Sequence, residues 1–245
     1  MTLWMDIMRP DARPQHRGVE ILHATGVEGA RDARGVVVVI DVLRSFTVSA
    51  YALAGGAREC LLVSTVEQAL ALAQRIPDAI VCAEENALPI AGIDISNSPT
   101  QIQAAHVQGK ALIQRSSAGT PVIGAVRSGD GMFAGSLVVA RATAQACLLR
   151  KPDAITLVAS GDFPEDHACA LYMESVINGA ADSASMDELL HALYSSERYR
   201  VFASGAWPGF PRTDLDLALI PDRFHFAMPA TRDGNCVRLV MQRAS

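Results

Sequence analysis

Along the chain, apolar runs and polar interruptions alternate at strand and helix lengths. The strongest run, Val36-Val37-Val38-Val39-Ile40, is five consecutive β-branched residues. Such a segment predicts a strand buried on both faces, and therefore a parallel or mixed sheet covered by helices. Asp41 and Arg44 follow at its end. Ahead of it, residues 1–34 read as an irregular lead-in carrying Pro10 and Pro14, with one short strand around Val19 to Leu22. Beyond it, Ser64-Thr65-Val66-Glu67 has capping-box spacing, and Val66, Ala69, Leu70 and Ala73 continue a helical face until Pro77.

Further strands are predicted over 79–83, 111–113 and 154–159, with a buried, alanine-rich helix from about Ala134 to Arg150. The periodicity of Ala168, Leu171, Tyr172, Ser175 and Val176 predicts another helix, closed by Gly179. A helix near Met186 to Tyr194, a Gly/Pro loop at Gly205 to Pro211 and short strands complete the chain. Strands alternating with helical segments predict an α/β fold: a mixed, mostly parallel central sheet sandwiched between helices in three layers. No Gly/Ser linker or repeat forces a cut, so 1–245 is expected as one domain with room for two closely packed subdomains.

Composition narrows the partners. With 50% hydrophobic and 19% charged residues the chain is globular in character. A net charge of -5 and a pI near 5.7 leave no Lys/Arg-dense face for a phosphate backbone, which argues against nucleic acid. No apolar run approaches the roughly 18 residues that span a bilayer, and no signal-peptide pattern opens the chain, so a cytoplasmic location is expected and no membrane partner. Five widely spaced cysteines without a Cys-x-x-Cys pair predict buried, reduced thiols. A mean hydropathy of +0.20 suggests a homodimer.

The candidate chemistry sits where strands end, the edge at which ligands collect in α/β sheets. Four tips present Asp41/Arg44, Glu84/Glu85, the Arg115-Ser116-Ser117-Ala118-Gly119-Thr120 loop and Asp162/Glu165/Asp166. Carboxylates at several tips suit a hard cation such as Mg²⁺. An arginine, hydroxyls and glycine-freed N–H groups suit an anion. Each feature also has a plainer reading: Asp41 as a helix N-cap, Glu165 and Asp166 as complements to a helix dipole, Arg44 as a surface residue, and Ser116 to Thr120 as a capped loop. Among the histidines only His167, beside Asp166, stands near this chemistry.

Val38-Val39-Ile40-Asp41-Val42-Leu43-Arg44-Ser45-Phe46-Thr47 resembles a signature block of the 2-phosphosulfolactate phosphatase family. Gly92-Ile93-Asp94-Ile95-Ser96-Asn97-Ser98-Pro99, the Ser116–Thr120 loop, Gly135-Ser136-Leu137-Val138 and Glu165-Asp166-His167-Ala168-Cys169-Ala170 resemble four further blocks in the same order, and Asp214, Asp222 and Phe224 fall in a final Asp-rich one. The resemblance implies a Mg²⁺-dependent hydrolase of a small anionic phosphorylated substrate, known in that family from coenzyme M biosynthesis. It implies Asp41, Glu84 and Asp166 as metal ligands, and Asp41, Arg44 and Glu165 as catalytic residues. Arg44, Ser45, Asn97, Ser98, Arg115, Ser116, Ser117, Gly119 and Thr120 would bind substrate. Water and Asp41 both stand as candidate nucleophiles. Three positions depart from the family pattern: Glu85 replaces an arginine, and Ala118 and Val139 replace asparagines. Loss of a preorganised donor costs about 10² to 10³ in rate, so a changed substrate or a non-catalytic, anion-binding paralogue is the alternative. Arg115 is a candidate to replace the missing guanidinium. A phospho-aspartate enzyme of the haloacid-dehalogenase type is disfavoured, because Leu43 stands where its second aspartate would be.

Overall fold

The computed structural model describes residues 18–243 apart from Asp94 and Ser128. Pro10 and Pro14 of the predicted lead-in, and Asp94 of the second family-like block, lie outside the described residues. The strands are β1 (Glu20–Thr25), β2 (Val36–Ile40), β3 (Glu59–Leu62), β4 (Ile80–Glu85), β5 (Leu88–Pro89), β6 (Ala111–Arg115), β7 (Gly131–Gly135), β8 (Ala154–Ala159), β9 (Phe226–Asp233), β10 (Cys236–Leu239) and β11 (Gln242–Arg243). The α-helices are α1 (Gly26–Asp32), α2 (Ser45–Ala54), α3 (Val66–Ala73), α4 (Pro99–Ala104), α5 (Gly119–Ala125), α6 (Ala140–Leu149), α7 (Pro164–Ile177), α8 (Ser183–Tyr194), α9 (Glu197–Ala203) and α10 (Thr213–Ala218).

Every side chain of β2 is buried, and strand alternation sorts them between two cores: Val37 and Val39 face one, Val36, Val38 and Ile40 the other. The sheet order is β1-β8-β2-β7-β9-β10-β3-β6-β4-β5, with β11 on β9. It contains two parallel blocks, β1-β8-β2-β7 and β3-β6-β4. The antiparallel strands β9 and β10 join them: β9 pairs with β7 through Met228 and Pro229, then with β10 through Ala230 to Asp233.

By these pairings β3 runs opposite to β7, so on a flat sheet the carboxyl ends of the two blocks would face opposite edges. The sheet instead wraps around α2, whose residues Ser45 to Leu53 are all buried. Val37 and Val39 of β2, Cys60 and Leu62 of β3 and Leu112 of β6 share one core with Phe46, Ala50 and Leu53 of α2. Accumulated strand twist produces this wrap, and it brings the tips of β2, β4 and β6 together. α6, α7 and α8 cover the outer face of the first block. Ala69 of α3 packs on Leu61, Val63, Ala111 and Ile113 of the second.

The architecture is thus the expected α/β fold with a large, mostly parallel mixed sheet flanked by helices. Local boundaries differ. The predicted helix from Ala134 begins too early: Gly131–Gly135 is strand β7, which supplies the second ladder that a two-faced β2 requires. Gly135 admits it, because a Cβ there would lie 2.8 Å from Val38. The capping box is shifted by one residue, with Thr65 accepting the Gln68 N–H and the Gln68 side chain returning to Thr65 N–H. All five cysteines are free and four are buried. No helix among the described residues is long and apolar enough to cross a membrane.

Candidate active site

β2 is clamped at its tip, where Asp41 N–H donates to Gly135 and Ser160 N–H to Ile40. The chain then turns through Val42 to Arg44, with a cis peptide between Leu43 and Arg44, and enters α2. Asp41 Oδ1 accepts the Ser45 N–H at 2.9 Å, so the capping reading of Asp41 holds for one of its oxygens. Oδ2 has no hydrogen-bond partner among the described residues and lies against Gly119, where a Cβ would stand 2.6 Å away. The residue is 3% exposed. Burial raises its pKa to about 6, against the pull of the Ser45 N–H and with added repulsion from Glu84 and Glu165.

The other predicted acids surround Asp41; Asp166 and Glu84 are occupied at both oxygens, and Glu165 is held through one. Asp166 Oδ1 accepts the Val42 N–H at 2.8 Å, and Oδ2 accepts the Ser160 N–H at 3.1 Å and its hydroxyl at 2.7 Å. Burial, then the charges of Asp41 and Glu165, hold its pKa well above the usual carboxylate range. Glu84 accepts the N–H and hydroxyl of Ser117 and the Ala87 N–H at 2.6 Å. Glu165, also buried, accepts from Arg198 Nε at 2.6 Å.

Set against Mg²⁺, the expected trio therefore fits only in part. Among the described residues no group of three or more Asp, Glu, His or Cys is arranged to hold an ion. Glu84 and Asp166 use their carboxylates to pin backbone N–H groups of the Asn86–Ala87 turn, the Ser117 loop and the β2 tip. Of these three, Asp41 keeps an oxygen with no partner among the described residues. An ion seated on the open oxygen of Asp41 would draw its remaining ligands from substrate and water.

A cleft of about 780 Å³ opens at this point. Of the expected residues, Asp41, Arg44, Glu84, Asn97, Ser116 and Ser117 line it. Arg44 is no surface residue: 3% exposed, it donates to Asp214 Oδ2 at 2.7 Å and Gly209 O at 2.8 Å, and stacks 4.1 Å above Phe210. Asn97 is set by a chain of donors. Gln114 Nε2 must face the Ser45 carbonyl (2.7 Å), so the same amide donates to Asn97 Oδ1 (2.9 Å), leaving the Asn97 NH₂ on the cleft wall with no hydrogen-bond partner among the described residues.

Four expected binding residues stand behind that wall. Ser98 caps α4 and donates to Asp214, Ser45 receives Gln114, Thr120 exchanges hydrogen bonds with Ser116, and Gly119 backs Asp41. Arg115 stands off the cleft lining. Its guanidinium donates to the Glu84 backbone carbonyl and Ser117 Oγ and sits 3.8 Å from Glu85, holding the loop from outside the cleft. The guanidinium of Arg198 on α9 does line the cleft, where it pairs with Glu165 and stacks 4.1 Å above Phe163. Of the three departures from the family pattern, Glu85 and Val139 are off the cleft, Val139 being core; Ala118 alone lines it. His167 pairs with Asp162 at 3.0 Å at the rim.

Sequence comparison relates the chain to known proteins. The model of a family described as 2-phosphosulpholactate phosphatase matches residues 22–203, which include every cleft acid and guanidinium named above except the Arg44 partner Asp214. A protein of Bacillus subtilis (strain 168) named probable 2-phosphosulfolactate phosphatase is 34% identical over 203 residues, 80% of this chain and 87% of that protein. Proteins of the same name from Clostridium novyi (strain NT) and Carboxydothermus hydrogenoformans are 30% and 35% identical over 184 and 144 residues, covering 73% and 58% of this chain and 78% and 60% of theirs. With its β2-tip acid, its Asn97 amide and its loop in the matched span, the chain belongs to the 2-phosphosulpholactate phosphatase family.

Proposed function

We propose that this protein hydrolyses the phosphate monoester of a small 2-hydroxy acid, 2-phosphosulfolactate or a close relative, to the free hydroxy acid and inorganic phosphate. The observation that carries the reading is Asp41: a buried carboxylate with one oxygen tied to the start of α2 and the other open, at a cleft that also presents a free amide and two guanidiniums. Water forms a new bond to phosphorus as the ester P–O bond breaks; one of its protons ends on the alcohol oxygen and the other on phosphate. Little covalent chemistry is asked of the protein in such a transfer, and positioning dominates. Asn97 NH₂ would donate to a substrate oxygen, and Arg44 and Arg198, each fixed by a carboxylate and a ring, would orient the anion. Asp41 Oδ2 would hold Mg²⁺ together with the substrate's own oxygens, and the ion would neutralise charge on the phosphoryl group.

Glu84, Asp166 and Glu165 act by holding this frame in place. A cytoplasmic homodimer is part of the proposal, and size-exclusion chromatography reads its oligomeric part. The deciding experiment is phosphate release from a panel of phosphorylated 2-hydroxy acids with Mg²⁺. Asp41→Asn, which preserves the Oδ1 acceptor, should lower kcat by at least about 10³-fold. A folded wild-type protein that releases no phosphate from any member would leave the anion-binding paralogue as the better reading.

A further inference from the structure

Beside its acids and donors the cleft has an apolar wall. Leu43, Phe163, Val201, Phe202, Trp207 and Phe210 line it. Phe202 and Phe210 are buried and stacked, 4.1 Å between centroids and 12° between planes, and Trp207 meets Phe202 edge-on at 5.9 Å. Folding accounts for the buried pair. It does not account for Trp207 and Val201, which remain 38% and 42% exposed at the mouth. The segment bearing Trp207 is nonetheless tied down at three points. Trp207 Nε1 donates to Ala87 O at 3.2 Å, Arg44 donates to Gly209 O, and Gly209, at φ +69°, packs so closely on Pro89 that a Cβ would lie 2.3 Å from its ring. An apolar side chain held rigidly toward an open cleft is preorganised to meet a ligand.

Charge and volume limit what that ligand can be. The cleft lining carries four carboxylates, Asp41, Glu84, Asp162 and Glu197, against two guanidiniums, and both guanidiniums are already paired, Arg44 with Asp214 and Arg198 with Glu165. Both guanidiniums lie over rings of the apolar wall, Arg198 over Phe163 and Phe202 and Arg44 over Phe210, but each is matched by its carboxylate, so among the described residues this wall offers a second strong anion no unpaired cation. At ~30 Å³ per water-sized group, 780 Å³ holds roughly 26 groups, about twice the non-hydrogen atoms of a phosphorylated, sulfonated three-carbon acid.

We propose that the Phe163–Val201–Phe202–Trp207 wall is a subsite for an aromatic ring, so that the preferred substrate is the phosphate monoester of a 2-hydroxy acid with an aryl group in place of a third-carbon sulfonate. This rests on the phosphatase reading above. It predicts the same hydrolysis, with the ring seated against Trp207 while the phosphate lies at Asp41. The test compares kcat/KM for 2-phospholactate, 2-phosphosulfolactate and 2-phospho-3-phenyllactate on the full chain with Mg²⁺. The phenyl compound should exceed both others by at least about ten-fold, and Trp207→Ala and, separately, Val201→Asp should each bring the phenyl-to-methyl ratio down toward unity. A ratio near one in the wild type, or a preference for the sulfonate, overturns the proposal. If no compound is hydrolysed, the phosphatase reading fails, and calorimetry with 3-phenyllactate and lactate decides the subsite alone. Tighter binding of phenyllactate that Trp207→Ala abolishes upholds the subsite, and equal or undetectable binding of the two acids refutes it.

Discussion

Replacing Gly119 by alanine tests Asp41 without touching its charge. Gly119 opens α5 with an ordinary backbone, so the substitution acts through its methyl group alone. That methyl would stand 2.6 Å from Asp41 Oδ2, 3.0 Å from Ser45 Cβ and 3.1 Å from Ser45 Oγ. To reach the 3.4 Å at which van der Waals contact becomes ordinary, the carboxylate must retreat by about 0.8 Å, while its other oxygen is held by the Ser45 N–H. A misplacement near 1 Å costs about 10²-fold in rate. Overpacking of a buried site adds a stability loss of about 1–3 kcal/mol, which lowers Tm by roughly 2–4 °C per kcal/mol in a chain of this size. Gly124→Ala is the control: it lies on the same helix with nothing within 4 Å of a new Cβ, and should stabilise slightly or not at all. Steady-state phosphate release and thermal melts on both variants provide the readout. A folded Gly119→Ala protein with kcat within about two-fold of wild type would show that the open oxygen of Asp41 does not take part.

Three other outcomes follow from the same geometry. Asp41 must be ionised, so kcat/KM should fall on the acid side; because burial raises its folded pKa above the unfolded value, metal-free stability should decline as pH climbs from about 4 to 6, and Asp41→Asn should remove that decline while changing nothing below pH ~3.5, as melts across pH in a chelator would show. Gln114→Glu removes the donor that orients Asn97; KM should rise by about ten-fold or more with a smaller change in kcat, Gln114→Asn should not rescue it, and an unchanged KM would contradict the orientation derived from the Ser45 carbonyl. Asp166→Ala leaves the Val42 and Ser160 donors buried without a partner and should cost about 3 kcal/mol or more by urea denaturation, whereas a loss under ~1 kcal/mol would make the carboxylate dispensable to the β2 tip.

What could be seen in the sequence was whatever a local pattern encodes. β2 was legible because burial on both faces demands an unbroken β-branched run, and β8 because Ala154–Ala159 is apolar between a proline and a serine. β7 was not, since Gly131-Met132-Phe133-Ala134-Gly135 has too few β-branched residues to declare itself and becomes a strand only through β2 and β9 beside it. The same division runs through the site. Asp41, Asn97 and Ser116 could be placed because strand ends and caps are local. That Glu84 and Asp166 are filled by backbone donors could not, because those donors are up to 124 residues away. Arg198 was missed for a similar reason: its partner Glu165 is 33 residues off on another helix, and only the Ser196 cap and acidic first turn marked α9 at all. Arg115 sat in the expected loop, yet a side chain's direction is decided by its neighbours, and the Glu84 carbonyl claimed it.

β9 bonds to β7 at one end and to β10 at the other, and a ribosome delivers it after every other strand of both parallel blocks. Until β9 and β10 have emerged through Leu239, nascent β7 and β3 each present an open edge of unpaired backbone, the kind of surface that recruits foreign strands. Messages interrupted before Phe226 should therefore yield insoluble product rather than a weakened catalyst, and slow decoding of the final stretch would lengthen the interval in which chaperones are needed.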